Sequence, residues 1–253
     1  MKHPRDRFLT VYGRKPVHEI LQLDNLRIDK LLLAANAKGE LIQEILELCK
    51  ARGIQPLRST AEQVSRISKN PKQDQGVALD VEVEKMDDWV NFLAENKTNN
   101  TRLGIVAMDG VTTPANVGMI IRTCTGLGLS GILMPRKGTS DVNALVIKAS
   151  AGVIFRARLL KCETLAPALR AAKTEGYAIY ALDAGAKSVD MFSLQKFSEK
   201  SIFVMGNESV GISPAVAALV DVWLRIPMYN GVESLNVACA AAVLSAEWQR
   251  RNT

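Results

Sequence analysis

The chain has 253 residues, of which 47% are hydrophobic and 23% charged, with a formal net charge of +6. This composition excludes a disordered chain and suits one large domain or two ordinary ones. No apolar run is long enough to cross a bilayer and the first residues lack the apolar core of a signal peptide, so a cytoplasmic protein with no membrane contact is expected.

The N-terminal part reads as a small α/β unit over residues 1–84. A short helix starts near Pro16–Leu23, and Lys30–Ala35 is strand-like. Leu41, Ile42, Ile45 and Leu48 form a helical apolar stripe. Ile54–Leu57 reads as a short strand and Gly76–Val83 alternates as a strand should, with a polar loop over Asn70–Gly76 between them. Residues 85–101 are polar and end in an Asn-rich run, which reads as a linker, although Asp87–Glu95 has helical character.

From residue 102 to 253 strands and helices alternate. Strand candidates are Ile105–Met108, Ile132–Met134, Ala157–Leu160, Ala178–Leu182, Ile202–Met205 and Trp223–Ile226. Helical stretches lie at Val117–Gly126, Ala144–Ala151, Leu165–Glu175 and Asn236–Arg251. The alternation predicts an α/β domain with a mainly parallel sheet covered by helices on both faces.

Gly126, Gly128 and Gly131 match the dinucleotide pattern G-x-G-x-x-G, but they close a helix and lead into a strand. A phosphate site needs the reverse order, because helix C-termini present carbonyls. A nicotinamide site is therefore set aside, and Gly126 and Gly128 read as helix-stop and turn residues.

Cys49, Cys124, Cys162 and Cys239 form no C-x-x-C pair and have apolar neighbours, as expected of reduced, buried thiols. With His3 and His18 the only histidines, no metal site is expected. The absence of histidine from the C-terminal half removes any Ser-His-Asp or Cys-His mechanism there.

Basic residues concentrate in two places. Arg136 to Lys173 holds eight Lys or Arg against Asp141 and Glu163, and the first fifteen residues hold Lys2, Arg5, Arg7, Arg14 and Lys15 against Asp6. Such stretches favour a polyanionic partner, with nucleic acid the commonest, and solvated surface charge as the alternative.

Three segments combine polar side chains with irregular backbone beside buried strands: Asn116-Val-Gly-Met-Ile-Ile-Arg122, Gly206-Asn-Glu-Ser-Val-Gly211, and Ile226-Pro-Met-Tyr-Asn-Gly-Val-Glu-Ser-Leu-Asn236. Irregular polar backbone at a strand end is costly unless a ligand or partner satisfies it, so the three are expected to form one composite site. Asn116 would open its helix as an N-cap, and Ser234 and Asn236 would start the last helix in the same way.

These segments resemble the three motifs of the SpoU (TrmH-type) RNA ribose 2′-O-methyltransferases of the SPOUT superfamily. Asn116 and Arg122 match N-x-x-x-x-x-R, Gly206, Glu208 and Gly211 match G-x-E-x-x-G, and Ile226-Pro-Met228 with Ser234-Leu-Asn236 match I-P-M followed by S-L-N. Gly13-Arg-Lys-Pro-Val17 and Gln75-Gly76 resemble the small ribosomal-protein-like domain that grips RNA in many members, except that Asp74 stands where members often carry His.

The resemblance implies a C-terminal trefoil knot that binds S-adenosylmethionine and pairs as a homodimer. It implies catalytic roles for Arg122, Asn116, Glu208, Asn236 and Ser234, and a cofactor pocket at Gly206, Ile226, Met228 and Leu235. Arg5, Arg7, Arg14 and Lys15 are expected to hold the RNA backbone. Arg122 is either the base for the ribose hydroxyl or a charged stabiliser; a guanidinium normally stays charged, which favours the second. Glu208 either orients Arg122 and RNA or belongs to a structural ion pair. For Ile226 and Leu235 the alternative is core packing. The implied activity is S-adenosylmethionine-dependent RNA 2′-O-ribose methylation, with ribosomal RNA as the substrate. Transfer RNA is the first alternative, and a non-catalytic RNA-binding or ribosome-assembly protein retaining the fold is the second.

Overall fold

The protein is described here by a computed structural model, which covers residues 8–23, 26–82, 86–98, 101–140, 142–183, 185 and 188–251. Arg5 and Arg7, expected at the RNA, lie outside the described residues, and so does His3.

The N-terminal unit runs β1 (Phe8–Tyr12), α1 (Arg14–Leu21), β2 (Ile28–Ala34), α2 (Glu40–Ala51), β3 (Leu57–Ser59), α3 (Ala61–Ser68) and β4 (Val77–Glu82). Its sheet has the order β1-β4-β2-β3, antiparallel except for the β2–β3 pair. In β1 the inward residues are Leu9 and Val11, which with Leu31, Leu33, Leu79 and Val81 build the core under the helices. The sequence reading missed β1 and α3. The signal for α3 was present: Thr60 accepts from the Gln63 amide while Gln63 reaches back to the Thr60 amide, a complete capping box. β3 starts at Leu57 rather than Ile54, because the Ile54 amide closes α2 onto the Cys49 carbonyl at 2.8 Å.

The larger unit carries β5 (Met86–Asp88), α4 (Trp89–Glu95), β6 (Leu103–Met108), α5 (Pro114–Gly126), β7 (Gly131–Pro135), α6 (Ala144–Ala149), β8 (Leu159–Cys162), α7 (Leu165–Thr174), β9 (Ala178–Leu182), β10 (Val189–Asp190), β11 (Lys200–Met205), α8 (Pro214–Ala217), β12 (Val222–Arg225) and α9 (Val237–Arg250). The sheet order is β10-β12-β9-β11-β6-β7-β8-β5, and all its strand pairs are parallel. The central strands alternate between two cores. Val106, Met108, Phe203 and Met205 face α5, α6 and α9, whereas Ile105, Ala107, Ile202 and Val204 face α4 and α7.

The stretch read as a linker is not a free connection. β5 forms the sheet edge against β8, and Trp89 stacks on Phe92 with centroids 5.6 Å apart. The Trp89 indole donates to the Ala168 carbonyl at 2.9 Å. A three-residue strand is too short to show periodicity, which is why it was illegible. The helix-stop reading of the glycine pattern agrees with the structure: α5 ends at Gly126, and Gly128 takes φ +77° in the turn before β7. The cysteine expectation holds for Cys49 and Cys124, which are buried, but fails for Cys239, which is exposed on α9, and for half-buried Cys162.

The units touch through α1 and α6. Glu19 pairs with Lys148 at 3.2 Å, and Leu23 lies so close to Gly152 that a side chain at Gly152 would meet it at 2.6 Å. No helix among the described residues is long and apolar enough to cross a membrane.

Candidate active site

Three parallel strands, β9, β11 and β12, release their chains at the same edge of the sheet. β9 lies between β11 and β12, so the chain reverses its course across the sheet there, and the crevice beyond the carboxyl ends of strands at such a reversal is where open α/β sheets bind ligands. A cavity of about 450 Å³ lies there, a volume in the range of small-molecule and cofactor sites.

The loop after β11 is built around Gly206. Asn207 and Gly211 exchange backbone hydrogen bonds of 3.0 and 2.9 Å, folding the loop back on itself. The Asn207 carboxamide accepts from the amides of Ser209 and Val210 and donates to the Gly110 carbonyl at 2.7 Å, anchoring the loop to the chain beyond β6. A Cβ at Gly206 would stand 2.7 Å from the Gly211 carbonyl carbon, so this close approach requires glycine.

The third segment leaves β12 at Arg225 and has no regular structure until α9. Asn230 and Gly231 both have positive φ, 56° and 73°, which turns the segment. Asn236 is the N-cap of α9: its side-chain oxygen accepts from the amides of Ala238 and Cys239. Its side-chain nitrogen donates to Glu208 Oε1 at 2.7 Å and to Asn116 Oδ1 at 3.0 Å. One carboxamide thus joins all three sequence segments.

The cofactor candidates Gly206, Ile226, Met228 and Leu235 line the cavity, together with Glu208, Ser234 and Asn236. Asn116 is not the cap of α5, as its sequence position had implied. Thr113 holds that position, and Asn116 is buried in the first turn facing Asn236. Arg122 does not line the cavity. It lies six residues beyond Asn116, about 9 Å along the helix axis, and is exposed. No carboxylate among the described residues pairs with it. Sequence reasoning missed Leu182, Asp183 and Glu233, which also line the cavity. Asp183 could have been found by asking which polar residue directly follows each central strand.

The charge expectation changes in folded form. Of the eight basic residues between Arg136 and Lys173, Lys137, Lys148, Arg158 and Lys173 form ion pairs with Glu163, Glu19, Asp87 and Asp221. Three of these partners, Glu19, Asp87 and Asp221, come from outside the stretch, so the local excess is partly neutralised by acidic residues distant in sequence. In the N-terminal unit Arg14 is also engaged: its guanidinium donates to the carbonyls of Gln75 and Lys38, while its amide donates to the Gln75 side chain. Lys15 is exposed. Asp74 is buried and accepts from Ser65, Ser68 and the Gly76 amide, so it organises the turn next to Arg14.

The pattern that defines the SpoU rRNA methylase family matches residues 104–246, and the pattern for RNA 2′-O ribose methyltransferase substrate binding matches residues 10–86. A protein of Mycolicibacterium vanbaalenii named as an uncharacterized tRNA/rRNA methyltransferase is 31% identical, over 95% of this chain and 76% of its own length. One of Staphylococcus saprophyticus named as a putative TrmH family tRNA/rRNA methyltransferase is 29% identical, over 96% of each chain. Among solved structures, an AdoMet-bound rRNA methyltransferase from Sinorhizobium meliloti superposes with a TM-score of 0.62 at 25% identity, covering 97% of this chain and 88% of that one. A TrmH-family structure from Porphyromonas gingivalis gives 0.64 at 26%, covering 98% and 91%.

Proposed function

The chain belongs to the SpoU rRNA methylase family, and from that premise we propose that it transfers a methyl group from S-adenosylmethionine to a ribose 2′-hydroxyl of RNA, with ribosomal RNA as its substrate. That it is an RNA methyltransferase using S-adenosylmethionine follows from the family. The ribose position, the ribosomal substrate, the cytoplasmic setting and the homodimer are our reading.

The observation that supports it is the convergence of the three segments on one cavity through Asn236. The cavity suits the cofactor. Apolar Leu182, Leu224, Ile226 and Leu235 can take an adenine ring, and the bare backbone at Gly206 leaves the space open. Among the described residues, acidic Asp183, Glu208 and Glu233 occur in the lining without any Lys, Arg or His, which fits a ligand of net positive charge.

S-adenosylmethionine supplies an electrophilic methyl group on a sulfonium. In our reading Glu208, positioned by Asn236, would accept the hydroxyl proton while the 2′-oxygen bonds to the methyl carbon, the carbon–sulfur bond breaks and its electron pair leaves with neutral S-adenosylhomocysteine. Arg122 stays a guanidinium and steadies the developing negative oxygen and the RNA phosphate. Holding the 2′-oxygen in line with the methyl group supplies much of the rate.

Arg122 reaches a cavity through dimerisation. Ala115, Met119, Arg122 and Gly126 form one exposed stripe on α5, and Cys239 and Ala246 are exposed on the adjacent α9. Small and apolar exposed residues on two packed helices suit an isologous contact with a second copy. In that arrangement Arg122 of one copy serves the cavity of the other. The N-terminal unit grips RNA, with Lys15 and the N-terminal arginines at the backbone.

The test is methyl transfer from labelled cofactor to ribosomal and transfer RNA from cells lacking the protein, with ribose methylation mapped by resistance to alkaline cleavage. Label in ribosomal RNA at an alkali-resistant linkage is expected. Label in transfer RNA alone would move the substrate assignment, and label on a base would overturn the ribose assignment.

A further inference from the structure

We infer that Asp183 is a cofactor-binding residue whose carboxylate recognises the positive charge of S-adenosylmethionine and thereby separates it from the neutral product S-adenosylhomocysteine. This rests on the cavity at Gly206 being the cofactor site.

Asp183 immediately follows β9, which lies between β12 and β11 at the centre of the cavity floor. Its backbone is fixed, since its amide donates to the Leu224 carbonyl at 2.8 Å and extends the ladder one residue past the strand. Its side chain has room because of Gly185: a Cβ there would lie 2.8 Å from Asp183 Oδ2. Any residue but glycine would push the carboxylate away.

The other two carboxylates of the lining are less suited. Glu208 is tied to the Asn236 side chain at 2.7 Å. Glu233 sits on the irregular segment between β12 and α9, where no strand or helix holds it. Asp183 is therefore the carboxylate that combines a strand-anchored backbone with a side chain lacking a hydrogen-bond partner among the described residues.

The α9 N-terminus adds to the case for such a group. Val237 and Ala240 of its first turn line the cavity, and a helix N-terminus carries partial positive charge. A cationic ligand beside it is favoured by carboxylates held nearby. S-adenosylmethionine carries a sulfonium, an ammonium and a carboxylate, a net charge of +1. S-adenosylhomocysteine has lost the sulfonium charge and is neutral overall. A carboxylate close to the sulfonium favours the first over the second, while one bonded to the ribose hydroxyls treats them alike.

The experiment is calorimetric titration of the full chain and of Asp183→Asn with each of the two compounds. The variant is isosteric, and its affinity for S-adenosylhomocysteine reports whether the pocket is intact. Asp183→Asn is expected to weaken S-adenosylmethionine about tenfold while shifting S-adenosylhomocysteine less than about twofold, and Asp183→Glu to retain part of the preference. Equal weakening of both ligands, or no change in either, would overturn charge recognition by Asp183 while leaving the cavity as the cofactor site. If the unaltered chain bound neither compound, the cavity assignment would fall and this inference with it.

Discussion

Asn236 and Asn116 are 120 positions apart, yet the side-chain nitrogen of the first lies 3.0 Å from the side-chain oxygen of the second. The same nitrogen holds Glu208, and the side-chain oxygen of Asn236 caps α9. Stability and site geometry therefore meet in one residue and can be separated by substitution.

Asn236→Ala is expected to lose the cap, at about 1 kcal/mol, and to cut methyl transfer about a hundredfold through misplacement of Glu208. Asn236→Asp retains a capping oxygen but has no donors and places a carboxylate against Glu208, so it should approach wild-type thermal stability while remaining poorly active. Parallel melting and methyl-transfer measurements check this. An Asp variant with full activity would separate Asn236 from the mechanism.

Gly206→Val should weaken cofactor binding by about tenfold or more, because even the first added carbon meets the Gly211 backbone at 2.7 Å. Titration with S-adenosylmethionine measures it. Unchanged affinity would place the cofactor elsewhere.

Arg122→Ala should abolish methylation and leave cofactor affinity nearly intact, since Arg122 lies outside the cavity lining. Mixing this variant with Gly206→Val tests the dimer directly. If Arg122 serves its partner's cavity, random exchange restores about a quarter of the wild-type sites. If Arg122 acts within its own chain, the mixture stays inactive.

Truncation distinguishes the units. A chain beginning at Met86 keeps β5 and α4 and should bind cofactor while losing RNA affinity. One beginning at Leu103 loses Trp89, Phe92 and Leu93, all buried against the second face of the sheet. Removing Trp89 alone, as Trp89→Ala, should cost about 3–5 kcal/mol. Chemical unfolding of each form is the measurement.

At the end of α9, hydrogen bonds from Arg250 and then Arg251 hold the Glu247 carboxyl down at about 2, against the opposing effect of burial. A carboxylate whose folded value is depressed stabilises the fold above its unfolded value. That contribution disappears as pH falls through the folded value. The loss should therefore develop between about pH 5 and pH 2 and amount to an order of 2–3 kcal/mol. In Glu247→Gln, acid unfolding followed by circular dichroism should show a shallower fall across that window. An unchanged profile would show that Glu247 does not carry it.

The legible features were those set by local rules. Ala178–Leu182 reads as a strand and is β9, and Gly128 takes the left-handed turn after α5 because such backbone favours glycine. Polar, irregular segments after buried strands marked the site, the resemblance of their motifs singled out Gly206, Ile226 and Leu235, and these do line one cavity. The edge strand β5 did not stand out, since three residues carry no period and its partner β8 is some seventy positions away.

The sequence by itself determined most strands and helices of the larger unit, its parallel sheet and the three motifs, because hydrophobic period, glycine placement and short-range capping act between near neighbours. Only the tertiary structure decided that Asn116 turns inward to Asn236 rather than capping its helix, that basic residues after Arg136 meet distant carboxylates, that Asp183 lines the cavity and that Arg122 does not. Those outcomes depend on which chain segments the sheet brings side by side, and a Coulomb or hydrogen-bond contact across a hundred residues leaves no periodic trace in the chain that makes it.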